Sequence, residues 1–149
     1  PAVNAGLSVS RVGGNAQTRG MKGVAGRMRI ELAQYRELAT FAQFGTSDLD
    51  VTTRRQLERG QRSVEVLKQD QNVPLKMEQQ VTILFALVNG HLDDVEISKV
   101  IDFEAAFHGF MGSNHPEILE KIAADKDVKD DTAETLTKAI IEFKESVPY

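Results

Sequence analysis

Met77-Glu-Gln-Gln-Val81-Thr-Ile-Leu-Phe-Ala-Leu-Val88-Asn-Gly90 is the stretch that decides the fold class. Its middle, Val81–Val88, is apolar nearly all round, and periodicity alone does not separate a buried strand from a buried helix there. The helix-favouring Met77-Glu-Gln-Gln80 in front and Gly90 behind turn the choice to a helix at the centre of a core.

Downstream, Ile97, Val100, Phe103, Phe107 and Phe110 recur at helical spacing. Asn114 and Pro116 then open a short helix bearing Ile118, Leu119 and Ile122. Asp131-Thr-Ala-Glu134 has the pattern of a capping box, and Ala133, Leu136, Ile140, Phe143 and Val147 line the face of a last helix. Upstream, Asp70–Leu75 reads as a loop around Pro74, and Asp50 as the N-cap of an arginine-rich helix through Leu57, Val64 and Leu67, kinked at Gly60. Met28, Leu32, Tyr35, Ala39 and Ala42 mark a helix from Arg27 that stops at Gly45. Before it, Gln17–Gly26 reads as a separate helix weakened by Gly20, Gly23 and Gly26, with a break near Gly26. About six helices joined by short loops predict an all-α bundle.

The N-terminal stretch departs from this pattern. Leu7 and Val9 alternate with Ser8 and Ser10, the period of two of a half-buried strand. The strand is expected to stop at Arg11, with Gly13-Gly14 as a sharp turn and Asn15 as a helix N-cap. It has no partner strand in this sequence, which points to a sheet outside it. An arginine at a strand end beside a turn suits a guanidinium held toward an anion. On spacing alone, an ordinary surface arginine beside a Gly-Gly turn is the better fit.

The chain has no cysteine, so disulfides and thiolate metal sites are excluded. No apolar run approaches the length of a membrane span. Its net charge of −4 is unevenly spread, and every arginine lies at or before Arg62. Because Glu31, Glu37, Glu58 and Glu65 interleave with these arginines at helical spacings, most are expected in solvated ion pairs rather than on a nucleic-acid face.

No phosphate-cradling P-loop is present: Gly14 and Gly20 are wrongly spaced, and Met21 occupies the lysine position. His91, His108 and His115 lie far apart and fit exposed or capping roles better than metal ligation. Asp48 and Asp50 begin like a calcium loop, but Thr53 and Arg59 stand where glycine and glutamate are needed. No metal site is expected.

Longer blocks carry a resemblance. Pro1-Ala-Val-Asn4, Gly6-Leu-Ser-Val-Ser-Arg-Val-Gly-Gly14, Ala16-Gln-Thr18, Leu32-Ala-Gln-Tyr-Arg-Glu-Leu38, Phe41-Ala-Gln-Phe-Gly45, Ser47-Asp-Leu-Asp50, Gln56-Leu-Glu-Arg-Gly60, Val66-Leu-Lys-Gln69 and Ser113-Asn-His-Pro-Glu-Ile-Leu119 follow in order. Together they resemble the C-terminal portion of the α subunit of F-type, rotary proton-translocating ATP synthases.

The resemblance implies that residues 1–16 are the last strand and turn of a nucleotide-binding α/β domain missing here, and that 17–149 form the C-terminal helical domain. It implies that Arg11 is an arginine finger completing the catalytic site of a neighbouring β subunit, with Ser8 beside it. Pro1, Gln69 and Gln71 then enclose the adenine of the α subunit's own non-catalytic nucleotide, since amides offer both donor and acceptor to a base edge. Ser47, Asp48 and Asp50 face the rotating central stalk. Expected partners are β subunits, the γ subunit and peripheral-stalk subunits, with ATP or ADP and Mg bound in the intact complex. Neither nucleic acid nor direct membrane insertion is expected. The setting is a peripheral membrane complex on the cytoplasmic face of a bacterial membrane, or the equivalent organelle face. By itself the chain is expected to be inactive and to hold no nucleotide tightly. The competing expectation is a free-standing helical scaffold that binds partner proteins.

Overall fold

Asn4, residues 10–42 and residues 50–149 are described in the computed structural model. They form seven α-helices and one 3₁₀ turn, with no strand among the described residues. The fold is therefore an all-α bundle. The strand expected over Leu7–Ser10 falls almost wholly outside the described residues, as do Gly45 and most of the Thr46–Asp50 loop.

The Val81–Val88 run is a helix, α4 (Met77–Val88), and it lies at the centre. Val81, Ile83, Ala86, Leu87 and Val88 are each at most 2 % exposed. At its start, Gln79 Oε1 accepts from the Lys76 N–H at 3.0 Å, satisfying a donor that the helix leaves free. At its end Gly90 takes φ 81°, so that its N–H reaches Leu87 O at 3.1 Å and the His91 N–H reaches Ala86 O at 3.0 Å. That pair of bonds is a Schellman stop, which needs a left-handed residue and so favours glycine.

Around α4 pack α5 (Val100–Asn114), preceded by a 3₁₀ turn at Ile97–Lys99, then α6 (Pro116–Asp125) and α7 (Asp130–Ser146). Phe103, Phe107, Phe143, Leu136 and Ile140 are fully buried. Phe103 meets Phe143 edge-on at 5.1 Å and Tyr149 at 4.9 Å, geometries that the ring quadrupoles favour. Pro116 opens α6 at a position where its missing N–H costs nothing.

Several local expectations are corrected. Gly13-Gly14 is not a turn: it lies inside α1 (Arg11–Ala16), and neither glycine has a positive φ. The cap is Ser10 rather than Asn15, because Ser10 is extended and its Oγ accepts the Gly13 N–H at 2.9 Å. No break occurs at Gly26: α2 (Arg19–Ala42) is continuous. It starts at Thr18, whose Oγ1 accepts the Met21 N–H at 3.3 Å, and burial of Val24, Met28 and Leu32 outweighs the glycine penalties. Gly20 has a specific task, since its N–H donates to Lys126 O at 3.1 Å and a Cβ there would lie 3.3 Å from Asp127 Cα.

Gly60, expected as a kink, lies within one continuous helix, α3 (Val51–Val66). It is where α3 closes on α2, for a Cβ at Gly60 would fall 2.2 Å from Tyr35 Cγ. Lastly, the α7 capping box does not form. Lys129 is the N-cap without a side-chain bond, and Asp131 sits in the first turn, paired with Lys121 of α6. That ion pair draws the carboxylate away from the capping geometry, while its place in the first turn still favours the helix dipole.

Buried residues on α2 and α3 stop at Leu32 and begin again at Gly60. Residues 33–40 and 50–59 contain none. Among the described residues, the outer turns of α2 and α3 therefore stand off the core as an arm.

Candidate functional site

Three places carry the residues singled out in the sequence. Arg11 is the first residue of α1 and is exposed. No ion pair or hydrogen bond of its guanidinium is found among the described residues. Ser8 and Pro1 lie outside the described residues.

A groove of about 350 Å³ runs between the loop after α3 and the face of α5. Val73, Leu75, Ile101 and Ala105 form its apolar walls, and Gln69, Asp70, Glu104 and His108 add polar atoms. The structure thus brings Gln69 to this groove; Gln71 is exposed and not part of its lining. The Gln69 amide donates to Val73 O across the loop, and Asn72 adopts φ 65° to let the chain turn. His108 is more buried than expected, its side chain 12 % exposed, and neither ring nitrogen has a hydrogen-bond partner. Glu104 Oε1 lies 3.5 Å from Nε2, close enough for attraction but not for a formed hydrogen bond. Apolar walls with a few polar groups are the general make-up of a small-ligand groove.

Of the acidic loop, Asp50 alone is described. Its Oδ1 accepts the Thr53 N–H at 2.8 Å and its Oδ2 the Thr53 hydroxyl at 3.1 Å, as expected of the α3 N-cap. These bonds hold its pKa below the usual carboxylate value. Ser47 and Asp48 lie outside the described residues.

The expected ion pairing of the arginines is largely overturned. Only Arg62 meets one of the interleaved glutamates, Glu58 at 3.8 Å, while Glu65 pairs with Lys68 at 2.6 Å. Arg29, Arg36, Arg54 and Arg55 make no ion pair among the described residues. Helical spacing brought candidates together, but three of the arginines found better acceptors elsewhere.

Those acceptors form a site that sequence reasoning missed. Arg27 of α2 donates to Val88 O at 2.8 Å and Asn89 Oδ1 at 3.1 Å. On α3, Arg59 grips Asp93 with its Nε at 2.9 Å and with Nη2, and Arg62, only 8 % exposed, donates to Val95 O at 2.7 Å. From α7, Lys144 reaches His91 O at 2.8 Å and the Asp94 carboxylate. Four cations thus converge on the turn after α4, where helix-end carbonyls and two aspartates concentrate negative charge. The only sequence signal was Asp93-Asp94 three residues after the Gly90 stop.

Glu31 sits beside this clamp with its Oε2 buried and unpartnered. Burial raises its pKa, and Arg59 and Arg27 offset part of that shift. His91 is held below its ordinary value by burial first and by Lys144 second. His115 occupies the junction of α5 and α6, a capping position, with Glu117 at 3.3 Å and Glu142 at 3.2 Å from its two nitrogens. Among the described residues no three His, Asp or Glu converge as a metal-ligand set. Nor, among them, is any helix long and apolar enough to cross a membrane.

Residues 17–143 match the family described as ATP synthase alpha/beta chain, C terminal domain. Relatives named ATP synthase subunit alpha agree with this. That of Macrococcus caseolyticus is 57 % identical over 144 residues, covering 97 % of this chain and 28 % of that protein. That of Dehalococcoides mccartyi is 52 % identical over 147 residues, covering 99 % and 29 %. In Wolinella succinogenes the values are 53 % over 144 residues, 97 % and 29 %. The chain therefore spans less than a third of the length of the relatives it matches. Since the match runs from Gln17 to Phe143, through nearly all the residues that build the core, this protein belongs to the family of C-terminal domains of ATP synthase alpha and beta subunits.

Proposed function

We propose that this chain works as the C-terminal portion of the α subunit of a rotary, proton-translocating ATP synthase. Residues 1–16 end its nucleotide-binding domain and 17–149 form its helical domain. The observation that carries the reading is the family match over residues 17–143, joined to relatives named ATP synthase subunit alpha over almost the whole chain. The catalytic unit is the assembled complex, with β, γ and peripheral-stalk subunits as partners, nucleotide and Mg bound there, and the complex attached peripherally to an energy-transducing membrane. This sequence has no P-loop of its own, so it contributes parts of sites rather than a phosphate cradle.

Arg11 is the finger in this reading. Its exposure and its lack of a partner among the described residues support the role. A guanidinium opposing charge on a transferring phosphoryl group acts in the transition state more than in ground-state binding. Ser8 lies beside it in sequence, Gln69 with Pro1 and Gln71 borders the non-catalytic adenine, and Ser47, Asp48 and Asp50 face the stalk.

The test is Arg11→Ala in the intact complex. Assembly and nucleotide affinity are expected to hold while multisite turnover falls by about 10³–10⁵, the range seen for arginine fingers supplied by a neighbour. Arg11→Lys should rescue little, because a point charge on a flexible stem does not reproduce the planar fork. Turnover within about tenfold of the parent in well-assembled Arg11→Ala complexes rejects the finger.

A further inference from the structure

We infer that Arg59 and Asp93 are positioning residues that hold the α2–α3 hairpin as a stiff arm on the bundle. The functional consequence, though not the mechanical one, rests on the reading of residues 47–50 as the stalk-facing loop.

The arm needs fixing at its root. Residues 33–40 and 50–59 include no buried residue, so about ten residues of each helix, roughly 15 Å of length, project without a core. Two helices packed only on each other are soft, since helical stability in proteins comes mainly from tertiary packing. Where the arm meets the bundle, the contacts change in kind. Tyr35 lies against the bare backbone of Gly60. One residue before Gly60, Arg59 binds Asp93 through two nitrogens; two residues after it, Arg62 binds Val95 O. Arg27 holds Val88 O and Asn89 from the α2 side.

All these acceptors belong to one segment, 88–95, and that segment is itself immobilised. Leu92 and Val95 are at most 2 % exposed, and Lys144 of α7 fastens His91 and Asp94 from the other side. The arm is therefore braced against a turn that α4 and α7 hold in place. A bidentate guanidinium–carboxylate pair fixes direction as well as distance, which a lysine would not do. The Arg59 and Asp93 side chains are 33 % and 46 % exposed, so the pair adds little to global stability. Its contribution is angular: with it in place, a load on the outer turns of α2 and α3 reaches the bundle instead of bending the hairpin.

The experiment uses the assembled complex carrying Asp93→Asn, Arg59→Gln or the exchanged pair Arg59→Asp with Asp93→Arg. Hydrogen exchange is followed in the arm and in α4, alongside ATP hydrolysis and proton-driven synthesis. The single variants are expected to speed exchange in 33–40 and 51–59 by about tenfold, with Val81–Val88 unchanged. The ratio of synthesis to hydrolysis should fall at least about two- to threefold, while hydrolysis alone holds. The exchanged pair should restore both. Unchanged arm exchange overturns the brace. Faster exchange in arm and α4 together overturns it also, since that marks a merely structural pair. A loosened arm with normal coupling removes the functional consequence. Asp48→Lys in the parent background separates the two failures: normal coupling there rejects the stalk reading, while arm exchange still decides the brace.

Discussion

Gly60→Ala is the substitution whose outcome the packing determines most directly. The new Cβ would lie 2.2 Å from Tyr35 Cγ and 2.4 Å from Tyr35 Cβ and Cδ2. Ordinary carbon contacts lie near 3.5–4.0 Å, so the shortfall is more than about 1 Å. Rotating Tyr35 about χ1 moves the ring but not its Cβ, so α2 and α3 have to separate. Overpacking of this kind costs about 1–3 kcal/mol, toward the upper end where no rotamer relieves it. Alanine returns about 1 kcal/mol of helix propensity. The expected net is a destabilisation of about 1–2 kcal/mol, or a Tm lower by roughly 2–8 °C for a protein of this size. Gly23→Ala and Gly26→Ala are the controls, since a Cβ at either site meets nothing within 4 Å. Each should stabilise by about 0.5–1 kcal/mol. Urea unfolding followed by circular dichroism reads all three. Gly60→Ala at or above the parent's stability, or the same sign for all three, refutes the close approach.

Two further outcomes follow from the site. Burial raises the Glu31 pKa, so the native state holds its proton to higher pH than the unfolded chain does. The native state then binds more protons within that window, and stability declines as pH rises from the ordinary carboxylate value through the raised one. Glu31→Gln should therefore raise Tm at pH 7 and lose the advantage below the ordinary value; a gain that persists unchanged at pH 3 contradicts the cause. The protein by itself should hydrolyse no ATP and bind it weakly, because a groove without a phosphate cradle leaves most of the ligand in water. Calorimetry giving a dissociation constant of about 1 μM or tighter would reject that division of the site.

Much of the fold was legible because the apolar pattern records burial along each helix. Val81–Val88 has apolar residues on every side because it is surrounded, and Gly90 ends it because only a left-handed residue closes the Schellman bonds. Phe103, Phe107 and Phe110 were expected in the core and lie there. Asp50 was expected to cap α3 and does so. These are local facts, set by neighbours within a turn or two.

At Gly26 and Asp131 a local preference gives way to packing, and at Gly13-Gly14 to a nearer cap, Ser10. Burial of Met28 and Leu32 carries α2 through Gly26, Tyr35 occupies the space that Gly60 leaves, and Lys121 takes the carboxylate that would have capped α7. The same limit hid the brace. The spacing of Arg59 and Arg62 offered Glu58 and Glu65, yet their strongest acceptors, Asp93 and Val95 O, lie more than thirty residues away. The amino-acid sequence by itself determined most of the helical segments, which residues are apolar and which carry charge, because those depend on covalent identity and short-range spacing. Only the tertiary structure decided which charge meets which, and where the hairpin leaves the core, because both depend on the distance between segments that the order of residues does not contain.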